Sequence, residues 1–434
     1  MRRIALALLL TGCWNFDELG TGFCARSDAG WCRDGGTGGG NTGGGNTGGG
    51  NTGGGSTGGG NTGGGNTGGG SAGGGSAGGG STGGGSEAHD GGRAPADGGA
   101  FLISGTATPS SQPVVAYGGD QFLVAWRCGS TICLQRLAAD GSLLGAHVSL
   151  AGNGLSQPAV TFAGDRFFVV WTDPTAVGPR SFIQGCGVHL DGGILVGPPI
   201  LQNAAYDYSA PAVAASGATA LVVATEDHAG DRAIVGVLLT GGAPSPFTIA
   251  DPSVDRTAPS VAARTMDFVV AWQQNTSPLH VAAARVPFDG GTTNPNGLEP
   301  CGGSATNLSP KIAARGDALV YTWLDGQSMP VVAAQNGPML QPTCGMSAGQ
   351  VGAANPMVAA GDRAYLTAWD IDVSGTRQVW GQHLDAAGGL AGSAVRLSPL
   401  GEPAVGAAGA GNATHFLVVW TSGTAIKGAL INAP

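Results

Sequence analysis

The chain has 434 residues, of which 83 are glycine and only 11% are charged; 19 basic against 28 acidic residues give a formal net charge of −9. That balance argues against a nucleic-acid polyanion as partner, because binding one needs a basic surface. The glycines crowd into one stretch that cannot fold, so the foldable part is smaller than the length suggests.

The first segment reads as a targeting signal. Arg2 and Arg3 precede an apolar run, Ile4 to Leu10, too short to span a bilayer, and Leu10-Thr11-Gly12-Cys13 closes it. This resembles the lipobox of bacterial lipoproteins. The resemblance implies a signal peptide at 1–12, a diacylglyceryl group on the Cys13 thiol and an acylated new amino terminus. Such a Cys13 would hold the chain to a lipid bilayer without a transmembrane helix. A short Cys-containing segment follows at 13–34, where Cys24 and Cys32 lie close enough to close a small loop. Residues 35–99 then fall into a five-residue period, as in Asn41-Thr42-Gly43-Gly44-Gly45. With no apolar side chain to bury, this is expected to be a disordered Gly-rich tether with a reach of about 40–45 Å. Gly69-Gly70-Ser71-Ala72-Gly73 spells a nucleophile elbow by composition alone, since an elbow needs a strand-to-helix turn.

From 100 to 434 one phrase recurs seven times: a proline, a small-apolar run, a turn, and a second apolar run ending in tryptophan. Pro113 to Trp126, Pro158 to Trp171, Pro259 to Trp272, Pro310 to Trp323 and Pro356 to Trp369 all keep a spacing of 13. Pro211 reaches Ala224 instead, and Pro403 reaches Trp420 after a four-residue insertion. Each copy reads as four strands, a to d. Strand a starts at the proline, and strand b is the apolar run, as in Phe122 to Trp126 or Phe416 to Trp420. Strand c appears as Gln135-Arg136-Leu137 or Gln382-His383-Leu384, and strand d as His147 to Leu150 or Val395 to Ser398. Helical periodicity is absent. Small residues in strand a and large ones in strand b suit a radial taper, so the expectation is all-β, a seven-bladed β-propeller. The last copy lacks strand d, and the N-terminal strand Phe101 to Ser104 is expected to supply it and close the ring.

With Cys13 lipidated, seven cysteines remain and one must stay unpaired. Cys128 and Cys133 flank a turn, Cys301 and Cys344 precede consecutive copies, and Cys186 is left over, aligned in this reading with Cys133 and Trp380. No Cys/His cluster suggests a metal, and no cofactor is implied. Asp120, Asp165, Asp317 and Asp362 recur at one turn and Asp140, Asp191 and Asp289 at another, which is a structural pattern. His189 and His383 are assigned the strand c position of Arg136, on an exposed blade surface.

Candidate binding residues therefore lie where the repeat breaks, on the face where d-to-a and b-to-c connections emerge together. These are Arg180, Tyr206, Asp207, Tyr208, Glu226, Asp227, His228, Asp370 and Arg377. Two tyrosines beside a carboxylate can stack on a sugar or anchor a protein. No catalytic residue is assigned.

The phrase, with Phe122-Leu123-Val124-Ala125-Trp126, Gln135-Arg136-Leu137 and Asp140-Gly141 as its fullest copy, resembles the propeller-type repeats of bacterial secreted proteins and lipoproteins. The joined plan of lipobox, Cys segment, glycine tract and repeats resembles myxobacterial lipoproteins. That group carries no general assigned chemistry. The resemblance implies an exported, membrane-anchored envelope lipoprotein whose propeller binds a protein or glycan without catalysis. An alternative is a polysaccharide-active hydrolase or lyase, which two neighbouring carboxylates in the central channel would favour. A structural or assembly role in the envelope is the other. Sialidase-type Asp-boxes, Ser-x-Asp-x-Gly-x-x-Trp, do not occur in the sequence.

Overall fold

The computed structural model describes residues 99–434 apart from 106–107, 151–156, 175–179, 241–243, 296, 302–306 and 337–341. The expected signal peptide, Cys13, Cys24, Cys32 and nearly all of the expected glycine tether lie outside the described residues. Among the described residues every regular element is a strand, so no helix there is long and apolar enough to cross a membrane.

Seven small antiparallel sheets form the propeller. A short first strand, β1 (Phe101–Leu102), precedes blade 1, which is β2 (Ser110–Gly118), β3 (Gln121–Cys128), β4 (Thr131–Ala138) and β5 (Leu143–Ser149). Blade 2 holds β6 (Ala159–Ala163), β7 (Arg166–Asp173), β8 (Phe182–His189) and β9 (Ile194–Val196). Blade 3 holds β10 (Asp207–Ser216), β11 (Thr219–His228), β12 (Asp231–Leu239) and β13 (Pro246–Ala250). Blade 4 has three strands, β14 (Arg256–Ala263), β15 (Asp267–Gln274) and β16 (His280–Pro287), with a single bridge from Ala283 to Leu298 where a fourth was expected. Blade 5 comprises β17 (Leu308–Arg315), β18 (Ala318–Leu324), β19 (Pro330–Asn336) and β20 (Thr343–Ser347). Blade 6 comprises β21 (Ala353–Ala360), β22 (Tyr365–Val373), β23 (Thr376–Leu384) and β24 (Leu390–Arg396), and blade 7 β25 (Val405–Gly411), β26 (His415–Ser422) and β27 (Ala425–Asn432).

β1 completes blade 7 as expected. Phe101 pairs with Gly428 and Leu102 with Lys427, while the Ile103 amide donates to the Ile426 carbonyl at 2.9 Å. The Ser104 hydroxyl then accepts the Ile426 amide at 2.8 Å. An edge that would otherwise be exposed is thereby paired.

The fixed spacing of 13 follows from the register between strands a and b. In blades 1 and 3 to 6 proline does not start strand a but sits inside it, in a β-bulge, whereas in blade 2 strand a begins at Ala159, just after Pro158. In blade 1, Ser111 pairs with Arg127 and Val114 with Ala125, so Gln112 and Pro113 together face Trp126. The same two-against-one geometry sets Ala258-Pro259 against Trp272, Ser309-Pro310 against Trp323 and Asn355-Pro356 against Trp369. The residue before each of these prolines has positive φ: Gln112, Ala258, Ser309 and Asn355 fall between 49° and 55°. In blade 7 the bulge is Gly406-Ala407 opposite Trp420, with Gly406 at φ 66°. Blade 7 thus keeps the common register, and Pro403 is not the equivalent proline, so the inferred insertion disappears.

Trp126, Trp171, Trp272, Trp369 and Trp420 are all fully buried between blades. Blade 3 shows how the degenerate copy is compensated. Where tryptophan is replaced by Ala224, Tyr208 stands at the strand a position held by Ser110 in blade 1 and Ala353 in blade 6, and packs in one cluster with Ala224. The large side chain has moved one strand inward, keeping the core filled.

The two expected disulfides form, Cys128–Cys133 and Cys301–Cys344, each with Cα atoms 5.8 Å apart. Cys186 is free and buried; burial pushes its thiol up to about 12, so it is an inert core residue. Its alignment needs correction: Cys133 and Trp380 face phrase tryptophans, whereas Cys186 faces Val169 and Gln184 faces Trp171.

Candidate functional site

The register places the start of strand a beside the end of strand b, so the d-to-a and b-to-c connections do share one face. On it the nine sequence-derived residues separate into two groups. Seven gather where blade 2 meets blade 3, and Asp370 with Arg377 belong to blade 6.

In the first group, β10 begins at Asp207, and Tyr206 alone of the two tyrosines precedes the strand. The Asp207 carboxylate accepts the Arg180 guanidinium at 2.7 Å and the Ser181 amide at 2.8 Å. The Ser181 amide first, and Arg180 second, hold that carboxyl below its usual range. Tyr206 stacks on His228, with ring centroids 4.0 Å apart and an angle of 25°. His228 Nε2 lies 2.6 Å from Glu226 Oε1, and the Gly230 amide donates to Asp227 at 2.7 Å. Tyr208 is not a surface aromatic, contrary to expectation. It is buried, and that burial, with the Glu226 carboxylate beside its hydroxyl, raises its phenol pKa. What remains accessible is a Tyr206–His228 stack flanked by an Arg180–Asp207 pair.

The second group is structural. Asp370 is fully buried, accepting Arg377 Nε at 2.5 Å, Asn355 at 2.8 Å and the Gly406 amide of blade 7 at 3.2 Å. It ties blade 6 to blade 7, with every polar contact made inside the protein. The Asp370 carboxylate is thereby engaged wholly within the protein, while the Arg377 side chain stays 34% exposed.

The histidines shift as well. His383 and Arg136 do share a position, opposite Leu366 and Leu123, but His189 lies two residues further along, opposite Arg166. His383 is half-buried against Phe416 of the next blade, its ring centroid 6.0 Å away, and burial lowers its imidazole pKa. Tyr321 and Tyr365 pack within the core, Tyr365 donating to the Ala318 carbonyl of blade 5 at 3.1 Å.

Two further places stand out, and the first of them escaped the sequence reading. The first is a groove of about 360 Å³ beside blade 6, lined by Trp369, Trp380, Gln350, Gln382 and Ser393. Its signal was available, for Trp380 is the one tryptophan after residue 100 outside the phrase. The second is the central channel, a cavity of about 630 Å³ bounded by the inner strands. Its lining includes Val114, Pro158, Ala212, Ser260, Lys311 and Met357, and among the described residues it holds no aspartate or glutamate. Among those residues no cluster of three His, Cys, Asp or Glu side chains is placed to hold a metal ion.

No family model matches the sequence, and no curated protein matches it. Among solved structures the chain is similar to the BP39L lectin from Burkholderia pseudomallei, at 17% identity over 77% of this chain and 100% of that one, with a TM-score of 0.51. It is also similar to a protein of unknown function from Dyadobacter fermentans, at 9% identity over 77% and 98% of the two chains with a TM-score of 0.49. A puromycin-hydrolysing peptidase from Mycobacterium tuberculosis gives 15% identity over 75% and 54%, with a TM-score of 0.48. At such identities the first of these likenesses establishes the propeller fold alone.

Proposed function

We propose that the chain is an exported lipoprotein, held to an envelope membrane by an acylated Cys13, that displays the propeller as a non-enzymatic module binding a protein or glycan on its loop face. The observation that carries the binding reading is the Tyr206–His228 stack beside the Arg180–Asp207 pair. It combines an apolar ring surface with fixed charges, on connections held by a rigid ring. Of the two ligand classes the groove at Trp380 favours a glycan, since it sets one partly exposed indole beside Gln350, Gln382 and Ser393.

A glycan array probed with the full-length protein tests the module. Tyr206→Ala or Trp380→Ala should weaken a captured glycan about tenfold, the loss typical of a stacked aromatic anchor. Binding unchanged in both variants removes these sites. The anchor is tested separately by labelled fatty acid, which Cys13→Ser should fail to incorporate; continued labelling sinks the lipoprotein reading.

A further inference from the structure

The channel carries a charge that neither ring packing nor the loop face accounts for. Lys311 follows Pro310 in the bulge of β17, and it is the sole ionisable residue in the described channel lining. Its counterparts one residue after the bulge are Val114, Ala159, Ala212, Ser260, Met357 and Ala408, all uncharged. The ring therefore has no packing need for a cation there. Neighbours at this position lean onto the next blade: Ser260 Oγ accepts the Ile312 amide at 3.2 Å, and Met357 lies against Gly409. Lys311 makes no hydrogen bond or ion pair among the described residues.

Composition sharpens the anomaly. The chain spells its positive charge with 17 arginines and only two lysines, Lys311 and Lys427. Lys427 pairs with Glu402 at the protein surface. Lys311 has no such partner, and burial lowers its amine pKa. Lys311 is half-buried, and an ammonium that loses part of its hydration without an ion-pair partner is held at a cost.

We propose that the central channel is a binding site for a small carboxylate-bearing molecule, with Lys311 Nζ as its cationic contact. The lone positive charge in a lining without acid repels cations and attracts an anion. A single ammonium is a point charge suited to one carboxylate rather than to a polyanion. Val115, Val213, Val261 and Ile312 offer apolar surface to the organic part, and the inner edges of the first strands bear backbone groups that no further strand pairs. A volume of about 630 Å³ lies within the range of small-molecule sites. The site is independent of the loop face, so Tyr206→Ala should leave it unchanged.

Calorimetric titration of the full-length protein at pH 7 with acetate, benzoate and D-glucuronate, and with D-glucose as the neutral comparison, tests it. Saturable binding of at least one carboxylate, and none of glucose, is expected. Lys311→Met should weaken that binding about tenfold or more, as expected for loss of a charge-assisted hydrogen bond. Methionine already fills the equivalent place in blade 6, so the ring should accept it; Lys311→Ala, with the residue of blades 2, 3 and 7, is the second variant. Lys311→Arg should retain binding. Absence of saturable binding by all three carboxylates, or affinity unchanged in both Lys311→Met and Lys311→Ala, overturns the proposal.

Discussion

Blade 4 and the neighbouring channel each hold a basic side chain drawn off the outer surface, fully buried in the first and half-buried in the second, under opposite arrangements. At the a-to-b turn of blade 4, Arg264 grips Asp267 through two hydrogen bonds of 2.7 and 2.8 Å, and Arg285 adds a third at 2.5 Å. All of this lies in or beside the core, with Arg264 and Asp267 both buried. One blade further on, Lys311 has no partner. The ring pairs its buried cation in blade 4, whereas the half-buried one in the channel has no such pairing among the described residues.

The sharpest break of that contrast is to unpair the first site. Asp267→Ala should strand Arg264 and lower stability by about 3–5 kcal/mol, the cost of removing one partner from a buried pair. Denaturant unfolding measures it, and a loss below about 1 kcal/mol would mean that the turn is wetter than its geometry implies.

The converse change should stabilise. Burial lowers the Lys311 amine from its ordinary 10.5, so the unfolded chain holds that proton to higher pH than the native protein does. The penalty is present in full below the native pKa and is relieved as pH rises from there towards 10.5. Lys311→Met should therefore melt above the wild type at pH 7, and its advantage should narrow by pH 10. A difference independent of pH would assign the gain to packing instead.

The smallest effect is expected at the loop face, where Arg180 and Asp207 are 42% and 38% exposed. Arg180→Ala should change stability by only about 0–1 kcal/mol, because solvent screens such a pair. Its measure is the same unfolding experiment, where a loss near that of Asp267→Ala would show the loop face to be as integral as the core.

The repeat made the ring legible before any coordinate. Seven phrases count seven blades, and the spare strand at Phe101 with the missing one after Ile431 identifies the closure. The bulge was not legible. A residue before proline ordinarily avoids the helical basin, so nothing in Gln112-Pro113 announces a positive φ; Gly406 was the better clue, because glycine reaches that conformation without strain. Tyr208 misled for a related reason: its role depends on the missing tryptophan at Ala224 on the adjacent strand. Asp370 looked like a loop carboxylate because its third partner, the Gly406 amide, becomes a neighbour only once blades 6 and 7 are docked. Lys311 stood in plain view as one of two lysines, yet a strand-by-strand reading for apolar pattern passes over a single exception.

The closing strand also fixes an order of events in folding. The contact between Ser104 and Ile426 spans 322 residues, so the segment translated first in the ring finds its partner only after the last blade emerges. Until then β27 presents an unpaired edge, and loop-closure entropy opposes the final step. The assembly resembles a belt whose tongue is made before the buckle: six blades can form in sequence, but the seventh waits for both ends of the domain. Removing a few residues at either end should therefore injure the same sheet, although the two cuts lie more than three hundred positions apart.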